Sequence, residues 1–461
     1  MAPGMSRLLA RVTFVAGTCC ATACAVASCT SDEGSEPPPE ADAGNEEAPP
    51  PTTTEPVDAG VHVEHPDAAP FDGGPRDVVC ESSRCATALV TTLGANANDR
   101  AEGFCALLND GTVACWGANG GGQLGRGDDA GSLDGPSAER VVGIEGATRL
   151  DHTCALDKTG AVRCWGTGPH LRDGGGTITT DRTPVTLPLA PVATMGIGAE
   201  VGCAVVDEGI VCWGRNFHGQ VAPFTSSAPG TALAPAPVDL PLGAPIRALV
   251  VSKASFVLRE DGTLVSWGAN PPLGRLSSLF PDPTPTPIDL AGVSSLDSSY
   301  ESACATVAGI GYCWGDIVER LHEYVNPAAP RIDRALPEPV VTPEPIVRIA
   351  TTRSMYTRGT YGIMFTTPQR WCAVGASGAI YCWGFNESGQ AGDGTKLDVL
   401  SDAVKVQGLP GPAADVKTTP NATCALLTSG KVYCWGSNYY GQLGSGNLKV
   451  PSLTPQEVAL P

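Results

Sequence analysis

Residues 105–125 read CALLNDGTVACWGANGGGQLG. Cys105 and Cys115 bracket the turn triplet Asn109-Asp110-Gly111, and a Trp-Gly pair follows the second cysteine at once. Asp-Gly between short apolar runs signals a hairpin, because glycine accepts positive φ without steric cost. The same shape recurs as CALDKTGAVRC (Cys154 to Cys164), CAVVDEGIVC (Cys203 to Cys212), CATVAGIGYC (Cys304 to Cys313), CAVGASGAIYC (Cys372 to Cys382) and CALLTSGKVYC (Cys424 to Cys434). A short turn between the cysteines sets them opposite each other on paired strands.

The Trp-Gly pair gives the period. It occurs at Trp116, Trp165, Trp213, Trp267, Trp314, Trp383 and Trp435, leaving only Trp371 of the eight tryptophans outside the pattern. Successive spacings are 49, 48, 54, 47, 69 and 52 residues, and a repeat near 50 is about the size of one four-stranded propeller blade. The expected fold is all-β: a seven-bladed β-propeller of four-stranded blades over residues 79–461. A closed ring hides the edges of its first and last blades. The terminal QEVAL segment, Gln456 to Leu460, is therefore expected to pair within the blade that starts near Cys80.

Directly opposed Cα atoms in an antiparallel pair lie about 4.5–5.5 Å apart, within reach of a disulfide. The fourth repeat, FVLREDGTLVSW, is an internal control: Phe256 and Ser266 stand in the cysteine positions, and both cysteines are lost together. Paired loss is what a covalent pair predicts. The rival reading, free thiols or metal ligands, offers two thiols per hairpin and no adjacent histidine pair, too few for a closed zinc site. No metal set is assigned. Each tryptophan is expected to pack between blades, with the following glycine allowing close backbone approach. Cys80 and Cys85 lie outside the hairpin pattern, and either bridge each other or pin the start of the ring.

Disulfides persist in oxidising compartments, and the N-terminus agrees. Arg7 and Arg11 precede an apolar, small-residue run that ends VASC, Val26 to Cys29. Residues 1–29 read as a bacterial export signal with a lipobox-like end. The apolar run is short of the ~20 residues of a membrane span. Cys29 is the expected lipidation site, and a plain cleaved signal is the rival. Residues 30–78 are rich in proline, acid and alanine, and cannot bury enough surface to offset their ordering entropy. They hold thirteen acidic residues and one arginine, so most of the formal charge of −19 belongs to this disordered tether. No basic patch suits nucleic acid. The expected location is the bacterial cell envelope, periplasm or surface.

WGANGGGQLG (Trp116 to Gly125) and WGSNYYGQLG (Trp435 to Gly444), with weaker copies WGRNFHGQVA and WGFNESGQAG, resemble the repeat of the regulator of chromosome condensation family. This chain resembles a bacterial, disulfide-containing, lipoprotein-like member. The resemblance implies a seven-bladed propeller. WGTGPHLRDGGG and WGDIVERLH depart from the motif, in repeats two and five. The eukaryotic namesake is a nucleotide exchanger for a small GTPase and binds chromatin. That activity is not carried over, because export and acidity place this chain away from GTPases and DNA. Other bacterial members, a β-lactamase inhibitor among them, are secreted binding proteins.

Nothing in the chain reads as an enzyme or a cofactor site. The histidines are His62, His65, His152, His170, His218 and His322, in no catalytic or metal-binding spacing. Arg126 to Asp128 (RGD) is a three-residue coincidence, and the glycosylation acceptors at Asn386 and Asn421 are silent in a bacterium. What remains is recognition by loops. The connection before the first cysteine position is short in repeats two and seven and long in the sixth, Thr351 to Trp371. That loop carries Arg353, Met355, Tyr356, Arg358, Tyr361, Met364, Phe365, Arg370 and Trp371, residue types enriched in interfaces. The expected function is a non-catalytic, membrane-tethered monomer binding a protein or an envelope glycan through this loop. Two alternatives stay open: the loop packs over the ring, or the protein is structural or adhesive without a discrete ligand.

Overall fold

The structure is a computed structural model. It describes residues 71–92, 102–315 and 335–461, apart from 72, 132, 173–174, 208, 226–227, 353–354, 359–363 and 368–369; of 130, 355–358, 364–367 and 400–401 it describes the backbone. The export signal, Cys29, His62, His65 and His322 lie outside the described residues.

Seven four-stranded antiparallel sheets follow one another along the chain. Blade 1 is built from Ala86–Thr91, Gly103–Leu108, Val113–Gly117 and Gly135–Arg140. Blades 2 to 7 occupy residues 147–186, 194–238, 246–287, 293–340, 346–405 and 413–457. In each, the strands pair in chain order. The first strands of successive blades touch one another around the ring, and Ala86–Thr91 meets Ala413–Thr418. Blade 6 carries an extra two-stranded hairpin, Met355–Arg358 with Met364–Thr367, between its first and second blade strands.

The hairpin register is the one the cysteine spacing implies. Cys105 pairs with Cys115, Cys154 with Cys164, Cys203 with Cys212, Cys304 with Cys313, Cys372 with Cys382 and Cys424 with Cys434. All six pairs are disulfides, with Cα atoms 4.1 Å apart. In blade 4, Phe256 faces Ser266 in the same register. Cys80 and Cys85 bridge each other, Cα to Cα 5.6 Å.

The Trp-Gly motif joins blades. Indole Nε1 of Trp165 donates to the Gln123 carbonyl (2.9 Å), Trp213 to Pro169 (2.6 Å), Trp267 to Gln220, Trp314 to Pro272, Trp435 to Gln390 and Trp116 to Gln442. Each acceptor belongs to the preceding blade, so buried apolar area and a satisfied indole N–H come from the same contact. Gly117, after Trp116, takes φ +104°, and a Cβ there would sit 2.7 Å from the Glu102 carbonyl oxygen. No other residue fits so close a strand approach.

The rest of the motif folds the following loop onto itself. Asn119 Oδ1 accepts from Leu124 N, and Gln123 Oε1 accepts from Gly121 N. Asn438 and Gln442 repeat this in blade 7, and Asn386 and Gln390 in blade 6. Asn386 is 0% exposed, so its side chain is not presented at the surface. Arg126 of the RGD triplet is spent on the Ser137 carbonyl and on Glu139.

Ring closure differs from expectation. The last strand, Ser452–Glu457, pairs with Val432–Gly436 in blade 7 and not with blade 1. Blade 1 already holds four strands of its own, leaving no vacancy. Closure instead uses side chains and a strap. Val458 and Leu460 pack with Leu89, Phe104 and Trp116 in one core cluster. The strap runs from Phe71 to Cys85. Phe71 lies against the Gly309 turn of blade 5, Arg76 donates to Ala376 O of blade 6, and Val79 N donates to Thr428 O of blade 7. Asn109 N of blade 1 in turn donates to Cys85 O. The ordered ring thus begins before Val79, inside what reads as linker.

Candidate binding face

Antiparallel order fixes two faces. The connections from first to second strand and from third to fourth emerge together on one, here called the upper. The cysteine-hairpin turns and the links between blades emerge on the other. Every strap contact falls on the lower face, at the turns near Gly309, Ala376, Thr428 and Asn109.

Exposed apolar residues divide unequally between these faces. Among the described residues, ten of the fourteen large apolar side chains that stand exposed lie in the upper third-to-fourth-strand connections. Leu133 of blade 1, Phe217 of blade 3, Leu276 of blade 4, Leu397 of blade 6 and Tyr439 and Val450 of blade 7 are examples, at 41–78% exposure. A ring of such residues around one face is the kind of surface that marks an interaction site.

The blade 6 hairpin emerges on this same upper face. Met355 pairs with Thr367, Tyr356 with Thr366 and Arg358 with Met364. The candidate residues Met355, Tyr356, Arg358 and Phe365 are therefore in the hairpin strands, and Tyr361 lies outside the described residues. Arg353 lies outside the described residues. The hairpin stands on a fixed base. Thr352 N donates to Arg370 O, and Arg370 N donates back to Thr352 Oγ1 at 3.1 Å.

Arg370 does not belong with the exposed candidates. It is 1% exposed. Its guanidinium donates to the carbonyls of Thr419 (Nη2, 2.7 Å), Pro420 and Ala422 in blade 7 and of Gln390 in blade 6. Burial pushes its pKa down to about 9, against the opposing pull of Glu102. Glu102, from blade 1, accepts from Asn421 Nδ2 and Thr419 Oγ1 on the far side of the same backbone segment. Blades 6, 7 and 1 are thereby tied together beneath the hairpin. Trp371 is also buried and stacks on Trp383, centroids 6.1 Å apart with an interplanar angle of 16°.

The inner strands end on the upper side around a small cavity of about 160 Å³, lined in part by Asp151, His152, Asp297, Ser298, Thr351 and Lys417. Its carboxylates are engaged with backbone: Asp151 Oδ2 accepts from Ile197 N, and Asp297 Oδ2 from Thr351 N. Burial raises the Asp297 carboxyl above its ordinary range. Burial opposes the charge of Lys417, but Asp415 and Asp297 outweigh it and raise the ammonium's pKa. His218, in an upper loop of blade 3, is driven down to about 4 by burial, with Lys253 adding to the effect. His152 lies beside Asp151, and His170 is buried against Asp181. Sequence reasoning missed this ring of upper-face apolar residues, because isolated leucines in loops carry no period.

Residues 414–442 and 429–461 match the regulator of chromosome condensation (RCC1) repeat. The match lies in blade 7. Its full-ring likeness is structural: Prp20p from Saccharomyces cerevisiae superposes with a TM-score of 0.57 at 18% identity, covering 77% of this chain and 87% of that one. Human WBSCR16 gives 0.57 at 18% identity over 76% of this chain and 94% of that one. At that identity the likeness is one of fold. Prp20p is described by its binding to Gsp1p and histones. Sequence relatives share shorter stretches. The ultraviolet-B receptor UVR8 of Arabidopsis thaliana is 33% identical over 97 residues, 19% of this chain and 20% of the receptor. The E3 ubiquitin-protein ligase MYCBP2 of Danio rerio is 37% identical over 75 residues, 16% of this chain and 2% of the ligase. The chain thus spans a small part of the curated relatives it matches. Among the described residues no helix is long and apolar enough to cross a membrane.

Proposed function

We propose that this protein is an exported recognition propeller that binds a protein partner through its upper face, with the blade 6 hairpin at the centre of the contact. The carrying observation is the division of faces. The upper face holds the extra hairpin and most of the exposed apolar side chains, and the lower face is occupied by the N-terminal strap. Tethering through lipidated Cys29 extends this reading. Six stapled blades and a seventh bridge at Cys80–Cys85 support export. The arrangement calls for no chemistry: its role is to hold a rigid surface. Guanine-nucleotide exchange is not part of the reading, because shared fold does not carry activity.

Photo-crosslinking tests the face directly. A crosslinker at Tyr356 or Leu397 is expected to give a discrete envelope adduct, and one at Asp110 or Asp261, on the lower turns, none. Replacing 355–367 by a Gly-Ser turn, with Thr352 and Arg370 kept, should abolish the adduct at Leu397 while Tm is retained. Equal crosslinking from both faces, or a large fall in Tm without loss of the adduct, would reject the proposal and favour a loop that only packs.

A further inference from the structure

Blade 2 departs from the motif that blades 1, 6 and 7 use to hold the third-to-fourth-strand loop. Where blade 1 has Gly-Gln-Leu-Gly, blade 2 reads Gly168-Pro169-His170-Leu171, with the Pro169 carbonyl in the place of Gln123 as acceptor of the next blade's indole N–H and His170 in the place of Leu124. The substitution places a histidine on a disulfide. The sulfurs of Cys154 and Cys164 and a ring nitrogen of His170 lie within 4.8 Å of one another, and all three residues are buried. His170 is 1% exposed. Its Nδ1 faces Asp181 Oδ2 at 3.3 Å, and its Nε2 is buried with no hydrogen-bond partner.

That nitrogen needs an explanation, because a buried polar atom without a partner costs about 1–3 kcal/mol. The other side of the ring is well provided. Asp181 also accepts from Thr179 Oγ1 at 2.7 Å and pairs with Arg172 at 2.9 Å. The contact with Asp181 Oδ2, an acceptor, suits the tautomer that carries its proton on Nδ1 and has the Nε2 lone pair free. A carboxylate behind a histidine with a free Nε2 is the arrangement that orients metal-binding histidines.

We propose that blade 2, in its dithiol state, is a binding site for a soft divalent cation such as Zn2+, with Cys154 Sγ, Cys164 Sγ and His170 Nε2 as ligands and Asp181 as the residue that positions the histidine. The disulfide takes up two electrons and two protons from two thiol molecules such as glutathione, which leave as their own disulfide. The cation then displaces the two thiol protons and is held by two thiolates and one neutral imidazole. Metal–sulfur bonds of about 2.3 Å and metal–nitrogen bonds of about 2.0–2.1 Å ask the sulfurs to part and the imidazole to close in slightly from its present place. The site competes with the disulfide, so it matters before oxidation is complete or under reducing stress.

The other five hairpin disulfides are internal controls. The purified full-length protein is equilibrated in graded glutathione redox buffers with and without Zn2+. Each pair's reduced fraction is then read by differential alkylation and peptide mass spectrometry. Zn2+ is expected to make the Cys154–Cys164 pair alone easier to reduce, by at least tenfold in the equilibrium constant, about 30 mV for this two-electron couple. His170→Gln should remove most of that shift, and Asp181→Asn should reduce it. The wild-type comparison stands even if a variant folds poorly. No Zn2+-dependent shift at this pair, an equal shift at all six pairs, or a full shift in a folded His170→Gln protein would overturn the proposal.

Discussion

At the scale of single residues, Arg370 shows how an interface-type side chain can be structural. Sequence composition groups it with the arginines of the long loop, yet its guanidinium is buried on carbonyls of two blades. The contrary signal was in the chain. Side chains two apart on a strand share a face, and Arg370 is two residues before the inward-facing Cys372. Arg370→Met should leave several buried carbonyls without donors and cost about 3 kcal/mol, read by chemical denaturation. A change below 0.5 kcal/mol, the scale of an ordinary surface substitution, would show that the tie is dispensable. His218 supplies a pH dependence. Its folded pKa of about 4 lies below the ordinary histidine value of 6.5, so the unfolded chain binds the extra proton first. Stability is full above about 6.5 and is lost as the pH falls toward 4. Tm should decline over that window, and His218→Gln should flatten part of the decline. An unchanged slope in the variant would remove His218 as its source.

At the scale of elements, the stapled hairpin is the unit. The pairing Cys424↔Cys434 and its counterparts were legible because turn chemistry and spacing alone set the register. Replacing both cysteines of one pair by alanine should cost about 2–3 kcal/mol, by chemical denaturation, with the ring still folded. The inverse change is more informative. Phe256→Cys with Ser266→Cys should form another cross-strand disulfide, seen as loss of two alkylatable thiols. Tm should not rise, because Phe256 is 0% exposed and packs on Trp314. Deleting that ring costs about 3–5 kcal/mol, as much as the bridge contributes. A clear rise in Tm would contradict this. The terminal strand was the element misread. Nothing local in Gln456 to Leu460 says which sheet it joins; that choice depends on blade 1 already holding its own fourth strand, Gly135–Arg140.

At the scale of the whole molecule, number and size of blades followed from the Trp-Gly period, but the difference between the faces did not. The lower face is covered where the strap crosses blades 5 to 7 and reaches blade 1, and the upper face is left open. Only the folded ring brings these residues to one side, because they are scattered over some three hundred positions of sequence. The candidate hairpin itself was legible as a long, aromatic and basic insertion. Its base, shared with blade 7 through Arg370 and Thr419, was not, because it rests on contacts 49 residues apart. The strap also makes a prediction. Arg76→Ala with Val79→Pro should loosen the meeting of first and last blades, raising hydrogen exchange in Ala413–Thr418 and Ala86–Thr91 while blade 3 is unaffected. Uniform protection in the variant would show that the ring closes without the strap.

Intact mass of the native protein, recorded after alkylation under denaturing but non-reducing conditions, is the most direct test of a propeller stapled blade by blade. The prediction is no label on any cysteine from Cys80 to Cys434, and the full set labelled once reductant is added. Label on both members of the hairpin pairs before reduction would contradict the stapled ring and the oxidising address that follows from it.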